Sequence, residues 1–170
     1  MRILLDTHVL LWFLLTPGKL STAALSAIQH AENQVYVSLA SAWEMSIKSS
    51  LGKLSLTQPI EPFILDQARR NRFDILPITL AHIAAVERMP HHHRDPFDRL
   101  LIAQSLVENI PLVSADSIIH AYPITHIWWC LASHSQRLTL PAPLARRRPA
   151  PRRRGRPAGR LAGACARRPA

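Results

Sequence analysis

The sequence predicts an α/β fold: a three-layer α/β/α sandwich with a central parallel sheet, followed by a disordered C-terminal tail. Short apolar runs alternate with segments of helical periodicity as far as residue 128, which is typical of a parallel sheet covered by helices on both faces. From residue 133 the chain consists mainly of Arg, Pro and Ala, a composition that buries too little apolar surface to fold. We therefore expect a folded domain over 1–132 and a disordered extension over 133–170.

Five short segments have the composition of buried strands. Val35-Tyr36-Val37, for example, is β-branched and aromatic throughout, which favours extended backbone. Pro77 lacks the N–H that a central strand must donate, so the strand around it is expected either to lie near an edge of the sheet or to end at the proline. The predicted strands are 2–5, 35–37, 75–78, 111–114 and 124–128.

The segments between the strands have helical periodicity and recognisable ends. Ser21 or Thr22 can cap the second helix, and Gly52 follows the third, where glycine commonly ends a helix. Asp95 and Pro96 fit an N-cap and a first helical position, because proline presets the helical φ and lacks an N–H that would have no partner there. The predicted helices are 8–15, 22–30, 38–51, 59–72, 80–88 and 96–109.

The basic charge of the chain is concentrated in its tail. Of 21 Lys and Arg residues, 11 are arginines from Arg137 onward, and no acid follows Asp116. Residues 1–136 contain the other 10 basic residues and all 11 acids, so this part of the chain has a formal charge of −1, whereas the whole chain has +10. Nucleic-acid binding inferred from the high pI would thus depend on the tail, whose composition also resembles a read-through or frame-shifted extension.

The cysteines and apolar segments indicate a cytoplasmic protein. Cys130 and Cys165 lie at or beyond the end of the predicted domain, so the sequence has neither a disulfide framework nor a zinc-ligand spacing. Asp6, Thr7 and His8 interrupt the apolar N-terminus, which therefore differs from a signal peptide. No apolar run is long enough to cross a bilayer, and we expect no membrane contact.

Three isolated acids are predicted to meet beyond the carboxyl ends of the strands. Asp6 and Asp116 follow the first and fourth predicted strands, and Asp98 lies in the first turn of the last helix. Sites in open parallel sheets form at that edge. Each acid also has a structural explanation as a helix cap or a partner of the helix dipole, and capping is the favoured explanation for Asp95. Caps alone explain the coincidence of three acids less well.

Glu44 is a fourth candidate with strong structural alternatives. Ser41-Ala42-Trp43-Glu44 matches a capping box, and Glu44 lies four residues before Lys48, the favourable order for an ion pair within a helix. Such a pair stabilises a helix by about 0.2 to 0.5 kcal/mol. On these grounds alone Glu44 is structural.

Four blocks of sequence together resemble the PIN-domain ribonucleases of the VapC toxin type. In chain order they are Leu4-Leu5-Asp6-Thr7-His8, Ala42-Trp43-Glu44, Asp95-Pro96-Phe97-Asp98-Arg99-Leu100-Leu101-Ile102-Ala103-Gln104 and Leu112-Val113-Ser114-Ala115-Asp116. The resemblance covers about residues 1–128 and implies a PIN-like sandwich. The catalytic and metal-binding residues that it implies are Asp6, Glu44, Asp98 and Asp116, with Asp95, Thr7 and Ser114 as auxiliaries. The family pattern often has threonine at the position of Ser114, and it has no counterpart of the tail.

The resemblance further implies a metal-dependent endoribonuclease that is the toxin of a toxin–antitoxin pair. Hard divalent cations take oxygen ligands, and Mg²⁺ or Mn²⁺ keeps waters that it can activate against a phosphodiester. Because four acids repel RNA, cations must border the site, and Arg94 and Arg99 are the expected substrate-binding residues. The expected partners are RNA, a VapB-like antitoxin that places a basic side chain over the acidic cleft, and a second copy in a homodimer.

Histidines and tryptophans near these blocks have simpler explanations. His91, His92 and His93 are adjacent, and adjacent side chains cannot easily face one ion, so a solvated loop is favoured over phosphate contact and over a zinc site. Trp12 and Trp43 have apolar neighbours at helical spacing and are expected in the core.

Two other classes of function fit parts of the sequence. An aspartate after a strand, such as Asp6, is typical of aspartyl-phosphate phosphatases, but that chemistry uses a second carboxylate two residues on, where this chain has His8. A non-catalytic RNA-binding protein could use the arginine-rich tail. In that case RNA binding would survive loss of Asp98 and fail without the arginines of 146–156.

Overall fold

The computed structural model describes residues 1–128, and these form the predicted three-layer α/β/α sandwich. The strands are β1 (Arg2–Leu5), β2 (Gln34–Ser38), β3 (Phe73–Leu76), β4 (Leu112–Val113) and β5 (His126–Ile127). All pairings are parallel, and the strand order is β3-β2-β1-β4-β5. β3 lies at an edge of the sheet and ends just before Pro77, so both expectations for the proline hold, but the strand begins two residues earlier than predicted. The end of the predicted domain at 129–132 and the predicted extension over 133–170 lie outside the described residues.

The helices of the described part follow the periodicity of the sequence closely. They are α1 (Thr7–Leu15), α2 (Thr22–Gln29), α3 (Leu39–Ser50), α4 (Ile60–Asn71), α5 (Leu80–Arg88) and α6 (Pro96–Glu108). Two short 3₁₀ turns, Pro17–Lys19 and Ser117–Ala121, were not predicted, because a single turn is too short to show a period. No helix within residues 1–128 is long and apolar enough to cross a membrane.

Alternate residues of the central strand enter two separate cores. Ile3 and Leu5 pack in a cluster with side chains of the first four helices, such as Val9. Leu4 packs in a second cluster with Ala85 and Ile102, which belong to α5 and α6. Since successive side chains of a strand point to opposite faces, the helices cover the sheet on both sides.

The register of the sheet aligns the carboxyl ends of its central strands. Leu5, the last residue of β1, pairs with Val37 of β2 and Val113 of β4. Asp6 and Ser114, which follow β1 and β4, therefore lie side by side. The chain passes from β1 to β2 on one side and returns to β4 on the other, and this reversal opens a crevice beyond the strand ends.

Candidate active site

Asp6 and Ser114 form the floor of this crevice. Asp6 is 4% exposed, caps α1 by accepting a hydrogen bond from His8 N at 3.0 Å, and accepts a second one from the Ser114 hydroxyl. Burial alone would raise the pKa of Asp6, but hydrogen bonds from His8 and Ser114 together lower it below the ordinary value of 3.8. Asp6 is thus held as an anion.

Asp98 stands in the first turn of α6, which begins as the sequence predicts. Asp95 Oδ1 caps the helix by accepting from Phe97 N at 2.8 Å and Asp98 N at 3.4 Å, and Pro96 occupies the first helical position. Burial, and then the charge of Asp6, raise the pKa of Asp98 from 3.8 to about 7. Burial first, and the neighbouring negative charge second, thus resist ionisation of this carboxyl group.

Asp116 completes a group of three aspartates and makes an unexpected contact. Its Oδ1 accepts from Ile118 N at 2.8 Å, which is the predicted cap, here on a 3₁₀ turn. Its Oδ2 lies 2.7 Å from His93 Nε2, and the same nitrogen lies 3.4 Å from Asp98 Oδ2. Ser114 Oγ accepts from Asp116 N at 3.1 Å while donating to Asp6, so one hydroxyl joins two of the acids.

The three aspartates line one cavity of about 270 Å³. The remaining lining residues are His8, Trp12 and Ala115. His8 Nδ1 is 3.8 Å from Asp6 Oδ1, and the proximity of this carboxylate raises the pKa of the histidine. The cavity is therefore lined by three carboxyl groups and two aromatic rings.

Glu44 is buried beside this cavity but does not line it. Its Oε1 is 2.6 Å from Lys48 Nζ, which is the predicted ion pair, whereas its buried Oε2 has no hydrogen-bond partner among the described residues. The predicted capping box is wrong, because α3 begins three residues earlier with Ser38 as its N-cap. Ser41 instead accepts a hydrogen bond from Thr7 Oγ1 at 3.0 Å.

Thr7, predicted as an auxiliary of the acids, joins two helices. It is fully buried at the start of α1, and its bond to Ser41 ties α1 to α3, the helix that carries Glu44. The Thr7 hydroxyl thus contributes to the packing of α1 on α3.

The prediction that Arg99 binds substrate is wrong. Arg99 is 5% exposed, and its guanidinium donates to the carbonyl groups of Val86 and Pro90 at 2.8 Å and of Met89 at 3.3 Å. These carbonyls lie at or beyond the end of α5, where helices leave acceptors unpaired. Arg99 thus fastens α6 to α5, and of the two predicted arginines only Arg94 is exposed.

The prediction that Trp12 and Trp43 are core residues is also wrong. Trp43 is 57% exposed and meets Phe97 edge to face with ring centroids 5.2 Å apart. Trp12 is half-buried, lines the acidic cavity and packs against Trp128 at 5.9 Å. Both rings therefore belong to the surface around the site.

The expectation of a solvated histidine loop holds for two of its three members. His91 and His92 are exposed, but His93 is 8% exposed and contacts two of the aspartates. No local signal separates His93 from its neighbours, because the decisive contact is to a residue 23 positions further along the chain. The sequence places all three histidines at the border of the site but does not single out His93.

The donor set suits a hard divalent cation. Asp6, Asp98 and Asp116 offer carboxylate oxygens to one cavity, which is the ligand type that Mg²⁺ and Mn²⁺ prefer. The raised pKa of Asp98 and the unpartnered oxygen of Glu44 are both features that a nearby positive charge would relieve. The residues present therefore fit the metal that the sequence resemblance implies.

The chain matches known proteins over the region that contains this site. The sequence model of the PIN domain matches residues 3–124. Ribonuclease VapC22 of Mycobacterium tuberculosis is 30% identical over 131 residues, an alignment that covers 74% of this chain and 98% of that protein.

Solved structures share the fold at low sequence identity. VapBC2 from Rickettsia felis, bound to a DNA fragment from its promoter, is similar with a TM-score of 0.58 and 12% identity over 75% of this chain and 99% of that one. VapBC-1 from nontypeable Haemophilus influenzae has a TM-score of 0.53 and 14% identity, over 76% of this chain and 98% of that one. With the family match and the likeness to VapC22, these findings show that the chain belongs to the PIN-domain family, within its VapC type.

Proposed function

We propose that this protein is a Mg²⁺- or Mn²⁺-dependent endoribonuclease and the toxin of a toxin–antitoxin pair. The observation that carries the proposal is the convergence of Asp6, Asp98 and Asp116 on one cavity at the reversal point of the sheet. A relative that aligns with this chain over 98% of its own length is named a ribonuclease, which supports the same class of reaction.

Asp6, Asp98 and Asp116 are the residues that would hold the cation. A bound divalent ion supplies an activated water and offsets the charge that develops on the phosphate. Asp6 is an anion throughout the neutral range because its pKa is lowered, so it binds without first losing a proton. Glu44 does not line the cavity, but its charge acts on Asp98, and we assign it the electrostatic task of attracting the cation toward the aspartates.

The surroundings of the acids determine how RNA approaches. Lys48 neutralises Glu44, and the exposed Arg94 lies four residues before Asp98, so these two cations offset part of the repulsion between RNA and the cavity. Trp12 and His8 form the aromatic wall of the cavity. Aromatic faces of this kind stack on unpaired bases, which favours single-stranded RNA as the substrate.

The partners follow from the relatives and from the charge of the site. Structural neighbours are named as VapBC assemblies, and we propose a VapB-like antitoxin that inhibits this chain by placing a basic side chain among the aspartates. We also propose that the chain forms a homodimer. Inhibition of cleavage by the product of a neighbouring gene, and the mass of the purified chain in solution, test these two proposals separately.

The catalytic proposal is tested by incubating total RNA with the full chain and with residues 1–132, each with Mg²⁺ and with EDTA. We expect both proteins to cleave RNA with Mg²⁺ and neither to do so with EDTA. The alternative, a non-catalytic protein that binds RNA through its tail, predicts that the full chain retains RNA uncut while residues 1–132 do not bind. Cleavage that continues in EDTA would contradict the metal-dependent mechanism.

A further inference from the structure

His93 has a specific partner for both ring nitrogens and for its backbone N–H. Nδ1 accepts a hydrogen bond from Asp95 N at 3.1 Å, and the backbone N–H donates to Tyr122 Oη at 2.8 Å. Nε2 lies 2.7 Å from Asp116 Oδ2 and 3.4 Å from Asp98 Oδ2. A buried side chain with this set of contacts is held in one orientation.

The contact with Asp95 determines where the ring carries its hydrogen. Nδ1 can accept from a backbone N–H only with a free lone pair, so the hydrogen must be on Nε2. Nε2 is therefore a donor aimed at the carboxylates of Asp98 and Asp116. A nitrogen that carries a hydrogen has no lone pair to offer a cation.

We propose that His93 is a positioning residue that holds the carboxylates of Asp98 and Asp116 in place for a divalent cation without itself binding the ion. This inference rests on the proposed function, in which those acids are ligands. The two aspartates come from α6 and from the segment after β4, and their charges repel each other. One N–H placed between them offsets the repulsion and fixes their spacing.

The hydrogen bond from His93 to Asp116 and its contact with Asp98 leave both acids able to bind a cation. Each carboxylate oxygen can accept more than one interaction, so an ion can be bound while Nε2 still donates. Metal-binding carboxylates are commonly oriented by hydrogen bonds of this kind.

Tyr122 fixes the backbone of His93. Tyr122 is 4% exposed, and its hydroxyl accepts from His93 N while donating to Pro90 O at 3.2 Å. The loop between α5 and α6 is thereby tied to the segment that follows Asp116. Loss of the tyrosine hydroxyl should loosen His93 without removing its ring.

A competing assignment makes His93 a third ligand, since one of its nitrogens and one oxygen each of Asp98 and Asp116 lie within 4.8 Å of one another. The two assignments differ in metal preference. An imidazole ligand favours Ni²⁺ over Mg²⁺, whereas a ligand set of carboxylates and water suits Mg²⁺ and Mn²⁺. Loss of a positioning residue should instead weaken the binding of Mg²⁺, Mn²⁺ and Ni²⁺ by a similar factor.

The test is direct calorimetric titration of the full chain with Mg²⁺, Mn²⁺ and Ni²⁺, independent of any RNA cleavage. We expect His93→Ala to weaken binding of each ion by about 10- to 100-fold, and His93→Gln, whose amide N–H can donate, to recover part of the loss. Tyr122→Phe should weaken binding by less than His93→Ala. His91→Ala, an exposed histidine of the same loop, is the matched control and should bind as wild type does.

The variants separate failure of this inference from failure of the proposed function. Unchanged binding in His93→Ala, or a selective loss of Ni²⁺ in both His93→Ala and His93→Gln, would overturn the positioning role. If Asp98→Asn binds Mg²⁺ as tightly as wild type, the proposed metal site itself is wrong and the inference falls with it. Melting curves in EDTA establish that each variant is folded, and Tyr122→Phe, which loosens the backbone of His93, tests the positioning role if His93→Ala does not fold.

Discussion

Asp98→Asn should stabilise the metal-free protein while weakening its response to Mg²⁺. The substitution removes one negative charge from a cavity that also contains Asp6 and Asp116, and it keeps a side-chain oxygen that can accept from His93. If the cluster exists to bind a cation, the protein without the cation is strained by the repulsion between its carboxylates.

The raised pKa of Asp98 sets the size of the effect. A shift from 3.8 to about 7 is roughly 3 pKa units, equivalent to about 4 kcal/mol of unfolding free energy. The side chain is 21% exposed, and solvent screening reduces this to roughly 2 kcal/mol. Loss of the favourable interaction with the helix dipole subtracts about 0.5 kcal/mol, so the variant should melt about 5 °C higher than wild type in EDTA at pH 7.

The sign of the pH dependence follows from the direction of the shift. Because the folded pKa of Asp98 lies above the unfolded one, this carboxyl group contributes most to stability below pH 3.8 and loses that contribution as the pH rises through about 7. The difference in melting temperature between Asp98→Asn and wild type should therefore be small at pH 4, grow up to pH 7 and then level off.

The assay is thermal unfolding of both proteins in EDTA and in Mg²⁺, with Glu61→Gln as control. Glu61 lies in the first turn of α4 and is exposed, so its variant loses only the dipole interaction and should melt slightly lower. Mg²⁺ at about 100 times its Kd should add about 2.7 kcal/mol to wild type and much less to Asp98→Asn. The reasoning is refuted if Asp98→Asn melts lower than wild type in EDTA and Mg²⁺ stabilises both equally.

Three further predictions concern the supports of the site. Arg99→Ala should lower the unfolding free energy by about 3 kcal/mol, because three carbonyls lose a charged donor. Arg94 is exposed, so Arg94→Ala should change the unfolding free energy by no more than about 0.5 kcal/mol while slowing RNA cleavage. Equal melting temperatures for the two variants would contradict the role of Arg99. Ser114→Ala should raise the pKa of Asp6 and lower the unfolding free energy by about 2 kcal/mol at pH 7. A carboxyl group whose pKa is lowered by folding stabilises the protein at pH values above its unfolded pKa. Denaturant titrations should therefore show that the loss of stability becomes smaller below about pH 4. Residues 1–132 should unfold cooperatively without the tail, and loss of a sigmoidal melt on truncation would contradict the predicted boundary.

Local sequence patterns were sufficient for the fold and for the placement of the aspartates. The helices were predicted to within one residue at each end, because apolar periodicity and caps such as Asp95 depend only on residues that are close together in the sequence. Asp6 and Asp116 could be placed together because a parallel sheet brings its strand ends to one edge. These inferences need only the chain order and the geometry of the elements.

Features that depend on contacts distant in the chain could not be predicted in this way. Arg94 and Arg99 are similar in sequence context, and only the packing of α6 against α5 buries one of them. Trp43, Ile47 and Leu51 repeat at helical spacing, yet all three are exposed, at 57%, 38% and 62%. Helical spacing of apolar residues thus identifies an apolar face of a helix, but it does not show whether another part of the protein covers that face.

The central claim is that the aspartate cluster holds a cation with which the protein cleaves RNA. The most direct measurement is the rate of RNA cleavage by the full chain as Mg²⁺ is raised, for wild type, Asp98→Asn and Asp74→Asn, an exposed aspartate of β3. We predict that Asp98→Asn lowers the maximal rate at least about 100-fold and that Asp74→Asn follows the wild-type curve. Cleavage by Asp98→Asn at the wild-type rate and with the wild-type Mg²⁺ dependence would contradict the claim.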